Sequence, residues 1–447
     1  MARSPGRDNR LAYMDQASFF GVRATGQSQL GQVTWLYARQ PDLYALQRCC
    51  DRLNAGGLLG RRIERSPLPF GRHRWVAGGG SPGLQLCGER RPRAELADWL
   101  DERSQLPLDP ERGPSWHLGL LAMTDGTHAV TLVASHTVAD GLGLVSAVAE
   151  AAAGRAADLG YPPPRSRTRR RAVAEDLAER RRSLREVARA ARTGARLART
   201  RRGATPPVER VRRPDVGNDA PLLVPAVTAH IAEADWDARV RLLGGTSNAL
   251  AAAVAARLAQ RTGRVVDGSA TLSFPVSERT GDDARGNALS AVDVVVDPAG
   301  CRDDLRPIRA AIKAALVAHA ATPNPFLPLL PLTPLVPRRA ANALAGAAFA
   351  YDRLPVGCSN VGTLDPQLAR IDGADADRVS VRLVEQGVRR AAMTRIGGQL
   401  FVAAGRALGS VFLTVVCHQA GVVESRQRLA ELVVAALGDV DLAGTVE

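Results

Sequence analysis

The seven residues Ser135-His136-Thr137-Val138-Ala139-Asp140-Gly141 hold the side chains best suited to chemistry in this chain. Imidazole titrates near neutral pH, so His136 suits the role of general base. Acyl transfer is one reaction such a base could serve, in which an acceptor hydroxyl or amine loses its proton as it attacks a thioester carbonyl. Asp140, four residues on, is placed to cap the helix that follows and to pair with an arginine that fixes the loop. Its expected role is structural rather than proton transfer. Gly141 permits tight passage of the backbone, as a substrate channel beside the loop requires.

Rival chemistries find little support. Gly79-Gly80-Ser81-Pro82-Gly83 fits the G-x-S-x-G string. It lies in a Gly/Pro loop with no helix behind it, and Pro82 has no N–H for an oxyanion hole. No phosphate-binding G-x-x-x-x-G-K-[ST] loop occurs. The six cysteines form no CxxC pair and none stands at zinc-ligand spacing from a histidine, so no metal is expected. They read as reduced thiols. No cofactor is implied beyond the carrier of the acyl group.

The elements around the motif place it on a strand-to-helix loop. Trp116 to Met123 reads as a strand, Asp125-Gly126 as a tight turn, and His128 to Ala134 as the returning strand. The alanine-rich run from Leu142 to Ala153 reads as a helix. Upstream, Gln32 to Tyr37 has strand character, and Pro41-Asp42-Leu43 opens a helix to about Asn54 that Gly56-Gly57 ends. In the second half, Thr246-Ser247-Asn248 caps a helix through Leu258. Strands follow at 268–276 and 288–296, then a helix over 306–320. The proline-rich 323–337 is excluded from regular helix and inner strand, and suits a rigid buried loop or an apolar lip at a substrate entrance. Residues 356–364 read as a loop, 400–403 and 411–418 as strands, and 424–437 as the last helix. Strands and helices alternate throughout, so the expected fold class is mixed α/β.

Charge divides the chain. The net charge is +14 across 447 residues. Residues 161–215 hold 18 Arg against 6 Asp and Glu, a net of +12, which leaves +2 for the rest. Residues 1–160 thus read as an N-terminal lobe carrying the loop, 161–220 as a basic linker with an amphipathic helix, and 221–447 as a C-terminal lobe. The segment 165–213 is a candidate for peripheral contact with an acidic membrane or an acidic carrier protein. Nucleic acid is not expected, because the middle of the segment has no aromatic stacking platform. No apolar stretch suits a transmembrane helix and no secretory signal opens the chain, so the expected location is cytoplasmic, with membrane association possible through the basic segment.

The motif, taken with four further segments, resembles the HHxxxDG pattern of the CoA-dependent acyltransferase superfamily, which includes condensation domains and wax ester synthase/diacylglycerol acyltransferases. Residues 12–20, AYMDQASFF, are similar to the "SPLDASFL"-like start of the wax ester synthase group. Phe274-Pro275-Val276-Ser277-Glu278-Arg279 resembles its "VPVSxR" segment, Gly286-Asn287-Ala288-Leu289-Ser290 its "GNxxS" stretch, and Ser359-Asn360-Val361-Gly362 its "SNVPGP" loop, here without the first proline. Ser135 stands where the motif has its first histidine. The resemblance implies two chloramphenicol-acetyltransferase-like lobes in a V, with a tunnel between them and His136 at its middle. It assigns the base to His136 and a structural role, paired with an arginine, to Asp140; Arg61 or Arg62 is the expected partner.

The expected function is therefore transfer of an acyl group from acyl-CoA or an acyl carrier protein to a hydroxyl or amine of a lipid or specialised metabolite. Asn287, Ser290 and the N–H of Gly141 are candidate oxyanion donors, and Ser359 and Asn360 candidate substrate contacts. The alternative is a catalytically inactive condensation-like protein that binds a carrier protein or lipid.

Overall fold

The computed structural model describes residues 8–78, 80–202, 219–281, 283–322, 327–337 and 354–447. Two sheets organise it. The first has five strands in the order β12-β1-β6-β5-β4: β1 Ser28–Tyr37, β4 Leu84–Leu86, β5 Trp116–Ala122, β6 His128–Ser135 and β12 Arg378–Gln386. The second has eight. Seven run in the order β10-β9-β11-β13-β14-β7-β15, with β7 Ala226–Ala232, β9 Ser269–Ser277, β10 Leu289–Val296, β11 Val356–Thr363, β13 Gln399–Ala407, β14 Ser410–His418 and β15 Thr445–Val446. The short β8, Val265–Val266, pairs with β9. A ribbon of β2 Arg61–Glu64 and β3 Arg74–Ala77 stands beside the first sheet. This is the expected mixed α/β, two-lobed architecture.

Each sheet packs a face against helices, and the first sheet is covered on its other face too, by Leu96 and Trp99. In the first lobe, α2 (Leu43–Ala55) and α4 (Gly141–Ala152) cover β1 and β6, with Trp35, Leu46, Cys50, Trp116 and Leu144 at the centre. Asp42 caps α2 by accepting from the Tyr44 and Ala45 N–H groups, as its position before the helix implies. In the second lobe, α7 (Ser247–Arg261) is sealed between β9, β11 and β13 and the final helix, Arg426–Gly438. Its residues from Ala249 to Ala256 are all buried. A helix apolar on every side belongs in a core, and its alanines let the neighbours approach closely. Thr246 caps it through the Ala249 N–H.

Two features depart from the sequence reading. Residues 356–363 form a strand, not a loop: β11 pairs in parallel with β13 and β9. Its small residues are what the position demands, because a Cβ on Gly357 would meet the Phe401 ring at 2.2 Å. Sheet membership also does not follow the chain order. β12 comes from the C-terminal half but pairs antiparallel with β1 from Ser28↔Gln386 to Leu36↔Arg378. Leu364, Leu368, Val379 and Val381 accordingly join the core of the first lobe.

The proline-rich stretch forms 3-10 turns over Leu327–Leu335, packed on α1 (Tyr13–Thr25) and on α5 (Arg169–Arg202); the rest of 323–337 partly lies outside the described residues. No single helix among the described residues is long and apolar enough to cross a membrane.

The strand exchange makes a prediction. Residues 1–220 expressed alone leave the β1 edge uncovered and lack 8 of the 33 described buried residues of the first lobe's core, so this fragment should be aggregated or molten. Co-expression with 219–447 should restore a soluble complex. A monodisperse 1–220 fragment with cooperative thermal unfolding would contradict this account.

Candidate active site

β6 delivers the motif. Its last residue, Ser135, is fully buried, its N–H bonded to the Ser115 carbonyl and its hydroxyl accepting from the Thr137 N–H. Ser135 therefore shapes the turn from inside the lobe. His136 continues the strand pairing for one more residue, its N–H donating to the Gln29 carbonyl at 2.9 Å. The chain then turns, and Asp140 caps α4 by accepting from the Gly143 N–H at 2.8 Å.

The second half of the site comes from the other lobe, on the loop between β9 and β10. The Asp140 N–H donates to the Gly286 carbonyl at 2.7 Å, and the second carboxylate oxygen accepts from Arg279 at 2.7 Å and from the Ala288 N–H at 2.9 Å. Arg279 also donates to the carbonyls of Arg285 and Gly286. The partner of Asp140 is thus Arg279, and the expectation of Arg61 or Arg62 is corrected. Arg61 braces the same region differently. It is 1% exposed, donates to the carbonyls of Val138 and Ala284, and lies 3.8 Å from the centre of the Trp75 ring. Arg62 is the next residue of β2, half-buried, and is not among the partners of the Asp140 carboxylate.

Asp15 on α1 holds the loop from the opposite side. One oxygen accepts from the Gly286 N–H at 2.9 Å, the other from the Asn287 N–H at 2.7 Å. Burial pushes its carboxyl pKa up, against the pull of Arg61 and of the two backbone donors. Gly286 is required where it sits: a Cβ there would meet the Thr137 carbonyl oxygen at 2.5 Å. Neither Asp15 nor Arg279 was assigned a role from sequence. The signals for Asp15 are that it is the one carboxylate in Tyr13–Thr25 and that it stands at the aspartate of the "SPLDASFL"-like segment.

Asn287 is the residue that orients the His136 ring. Its Nδ2 donates to the His136 carbonyl at 3.1 Å, which leaves Oδ1 to accept from the His136 ring at Nδ1, 2.9 Å away. Nδ1 then carries the proton and Nε2 the lone pair. Among the described residues, no group bonds Nε2. Protein surrounds the imidazole, yet part of its surface stays accessible. That burial lowers its pKa, while the Asp140 charge and the Asn287 bond oppose the shift. The ring is therefore neutral at pH 7, as a general base must be.

The remaining candidates scatter. Ser290 is buried on β10 with its hydroxyl 2.8 Å from Nε2 of His319, on α8 (Arg306–Ala321). Ser359 and Asn360 lie on β11, where Asn360 bonds Asn248 and the Gly362 N–H. None of the three bonds His136. The Gly141 N–H, at the first position of α4, bonds no described residue, and a Cβ on Gly141 would meet no atom within 4 Å.

Strand register adds a second titratable group to this face. His136 lies across from Gln29, and Gln29 across from Glu385. Cross-strand partners share a face, so the three form a row spanning about two strand spacings, roughly 10 Å. Glu385 accepts from the side-chain amides of Gln29 at 3.4 Å and Gln399 at 3.2 Å, and burial pushes its pKa up.

Two predictions follow from these carboxyls. Asp140→Ala leaves Arg279 buried without its counter-charge, a loss of about 3–5 kcal/mol by denaturant unfolding. A loss under about 1 kcal/mol would mean the pair does not hold the loop. Glu385 binds its proton more tightly folded than unfolded. Its stabilising contribution is full below the ordinary carboxyl pKa of 4.5 and is lost as pH rises through the higher folded value. Glu385→Gln should therefore match the parent in thermal stability at pH 4 and exceed it at pH 8.

No protein-family model matches the sequence, and no curated protein sequence does. Solved structures do match. Polyketide synthase associated protein 5 from Mycobacterium tuberculosis aligns with a TM-score of 0.56 at 17% identity, covering 97% of this chain and 98% of that one. The first condensation domain of the CDA synthetase aligns at 0.56 and 14% identity, covering 99% and 100%. The wax ester synthase/diacylglycerol acyltransferase from Marinobacter aquaeolei VT8 aligns at 0.54 and 16% identity, covering 97% and 98%. Over nearly its whole length, then, the chain shares the two-lobed fold of these three structures.

Proposed function

We propose that this protein is an acyltransferase in which Nε2 of His136 takes the proton from an acceptor hydroxyl or amine as it attacks an acyl thioester. The observation that carries the reading is the fixed tautomer: Asn287 holds the Nδ1 proton, and the lone pair of Nε2 is left to the substrate. Donor and acceptor would meet at His136 in a tunnel between the lobes. Binding both there supplies proximity. The donor is acyl-CoA or an acyl carrier protein, the acceptor a lipid or specialised-metabolite alcohol or amine, and no other cofactor takes part.

Proton and electron pair balance in two steps. The acceptor heteroatom bonds the thioester carbon while its proton passes to Nε2. The oxyanion then collapses, the C–S bond breaks, and the departing thiolate receives that proton. Of the three oxyanion candidates, the Asn287 side chain is committed to His136 and the Ser290 hydroxyl to His319. The Gly141 N–H is the free one, and it is the donor we assign.

Thiol release from a panel of acyl-CoAs with alcohol and amine acceptors tests the reading. His136→Ala should lower turnover by at least about 100-fold while remaining folded. Turnover within a few-fold of the parent would exclude His136 as the base. Because burial lowers the pKa of His136, kcat/KM should fall only at pH below the ordinary imidazole value of 6.5 and stay level through neutrality.

Gly141 gives a separate prediction. The protein has room for a side chain there, so Gly141→Leu should shift stability by no more than about 1 kcal/mol. The substrate would use the same room, and KM should rise at least about tenfold. An unchanged KM would place the substrate elsewhere.

A further inference from the structure

α5 runs 34 residues, about 50 Å at 1.5 Å per residue. Its four acidic residues all turn toward the body of the protein. Glu175 and Asp176 meet Arg167 and Arg74, and Asp176 also accepts from Ser66. Glu179 meets Arg10 and Arg72, and Glu186 accepts from the Tyr13 hydroxyl at 3.0 Å. Ala172, Asp176 and Ala190 are buried, and Gly194 packs on Leu329, so the rotation of the helix is set along its length.

The consequence is one face of α5 without acidic residues. Leu177, Arg181, Leu184, Arg185, Arg192 and Arg199 lie on the opposite face, all exposed, with no acidic residue among them. The four arginines enter no ion pair among the described residues. Leu177 is 43% and Leu184 56% exposed. Beside them Phe70 is 43% exposed at the tip of the loop before β3, with the Arg180 guanidinium 5.9 Å from its ring centre.

We infer that this face seats the protein on an anionic lipid surface. Cations in a line, interrupted by single apolar side chains, match a plane of anionic headgroups over acyl chains. A globular acidic partner fits less well. A contact of ordinary size is a compact patch of about 800 Å² per partner, with its apolar anchors clustered in pockets. Here the charge extends over the whole helix, and the apolar residues stand singly. Each arginine near an anionic surface adds about fivefold to binding, so three removed together should abolish it. The inference does not rest on the acyl-transfer reading.

Co-sedimentation of the full chain with vesicles tests it. Vesicles of phosphatidylcholine with about one quarter phosphatidylglycerol should bind the protein, and pure phosphatidylcholine should not. Binding should fall at least tenfold in 0.5 M salt, as an electrostatic contact does. The triple variant Arg181→Glu, Arg185→Glu, Arg192→Glu should lose at least tenfold in affinity with its thermal unfolding unchanged. Arg48→Glu, Arg112→Glu, Arg155→Glu makes the same change of net charge elsewhere on the surface and should keep most of the binding. Leu184→Gln with Phe70→Ser should weaken binding at constant charge. Equal loss in the two triple variants would reduce the effect to net charge and overturn the inference. Retention on an immobilised acidic carrier protein without vesicle binding would overturn it in favour of a protein partner.

Discussion

The site depends on one buried ion pair that joins two lobes. Asp140 closes the loop of the first lobe, and Arg279 anchors the β9–β10 loop of the second. A buried charge is tolerated when paired and fully hydrogen-bonded. Here both carboxylate oxygens are occupied, by Gly143 on one side and by Arg279 and Ala288 on the other. Both terminal nitrogens of Arg279 also donate to carbonyls of its own loop, while its buried Nε has no partner among the described residues. The pair fixes the position of two loops at once. Asp15 repeats the device from below, clamping Gly286 and Asn287 through their N–H groups. Asn287 is held at its backbone by one carboxylate, and the residue after it by the other. Its side chain consequently meets His136 in a defined orientation.

That orientation decides what the histidine can do. A free imidazole exchanges tautomers, and only one of them presents a lone pair at Nε2. The Asn287 carbonyl selects it, and burial keeps the ring neutral without a carboxylate in direct contact. The substitution of Ser135 for the first histidine of the HHxxxDG pattern leaves this arrangement intact. Its hydroxyl bonds the Thr137 N–H inside the turn, on the far side of the strand from Nε2. The residue contributes to the shape of the loop.

Much of this was legible in the sequence because it is local. Asp42 and Thr246 announce their helices by capping them, and Asp125-Gly126 announces the hairpin that carries the motif. His136 and Asp140 declare themselves by spacing. What the sequence hides is non-local. β11 reads as a loop because Gly357, Ser359 and Asn360 are poor strand formers; it is a strand because β9 and β13 enclose it. β12 gives no sign that it crosses to the other sheet. The arginine for Asp140 was sought near the first helix, whereas the partner is 139 residues away along the chain. Arg61 and Arg279 both reach the loop, and residue type cannot say which guanidinium meets the carboxylate and which meets carbonyl oxygens.

The basic segment shows the same limit and then a way past it. Composition alone places +12 of the net charge there without saying where it points. Packing answers that, because the acids of α5 are consumed against the first lobe and the arginines are left outside. The docking also bears on the site. Tyr13 and Asp15 lie two residues apart at the start of α1: Tyr13 bonds Glu186 of α5, and Asp15 bonds the loop that orients His136. One short helix start therefore fixes both the cationic face and His136. The position of His136 relative to any surface that α5 rests on is set by packing, not by a linker.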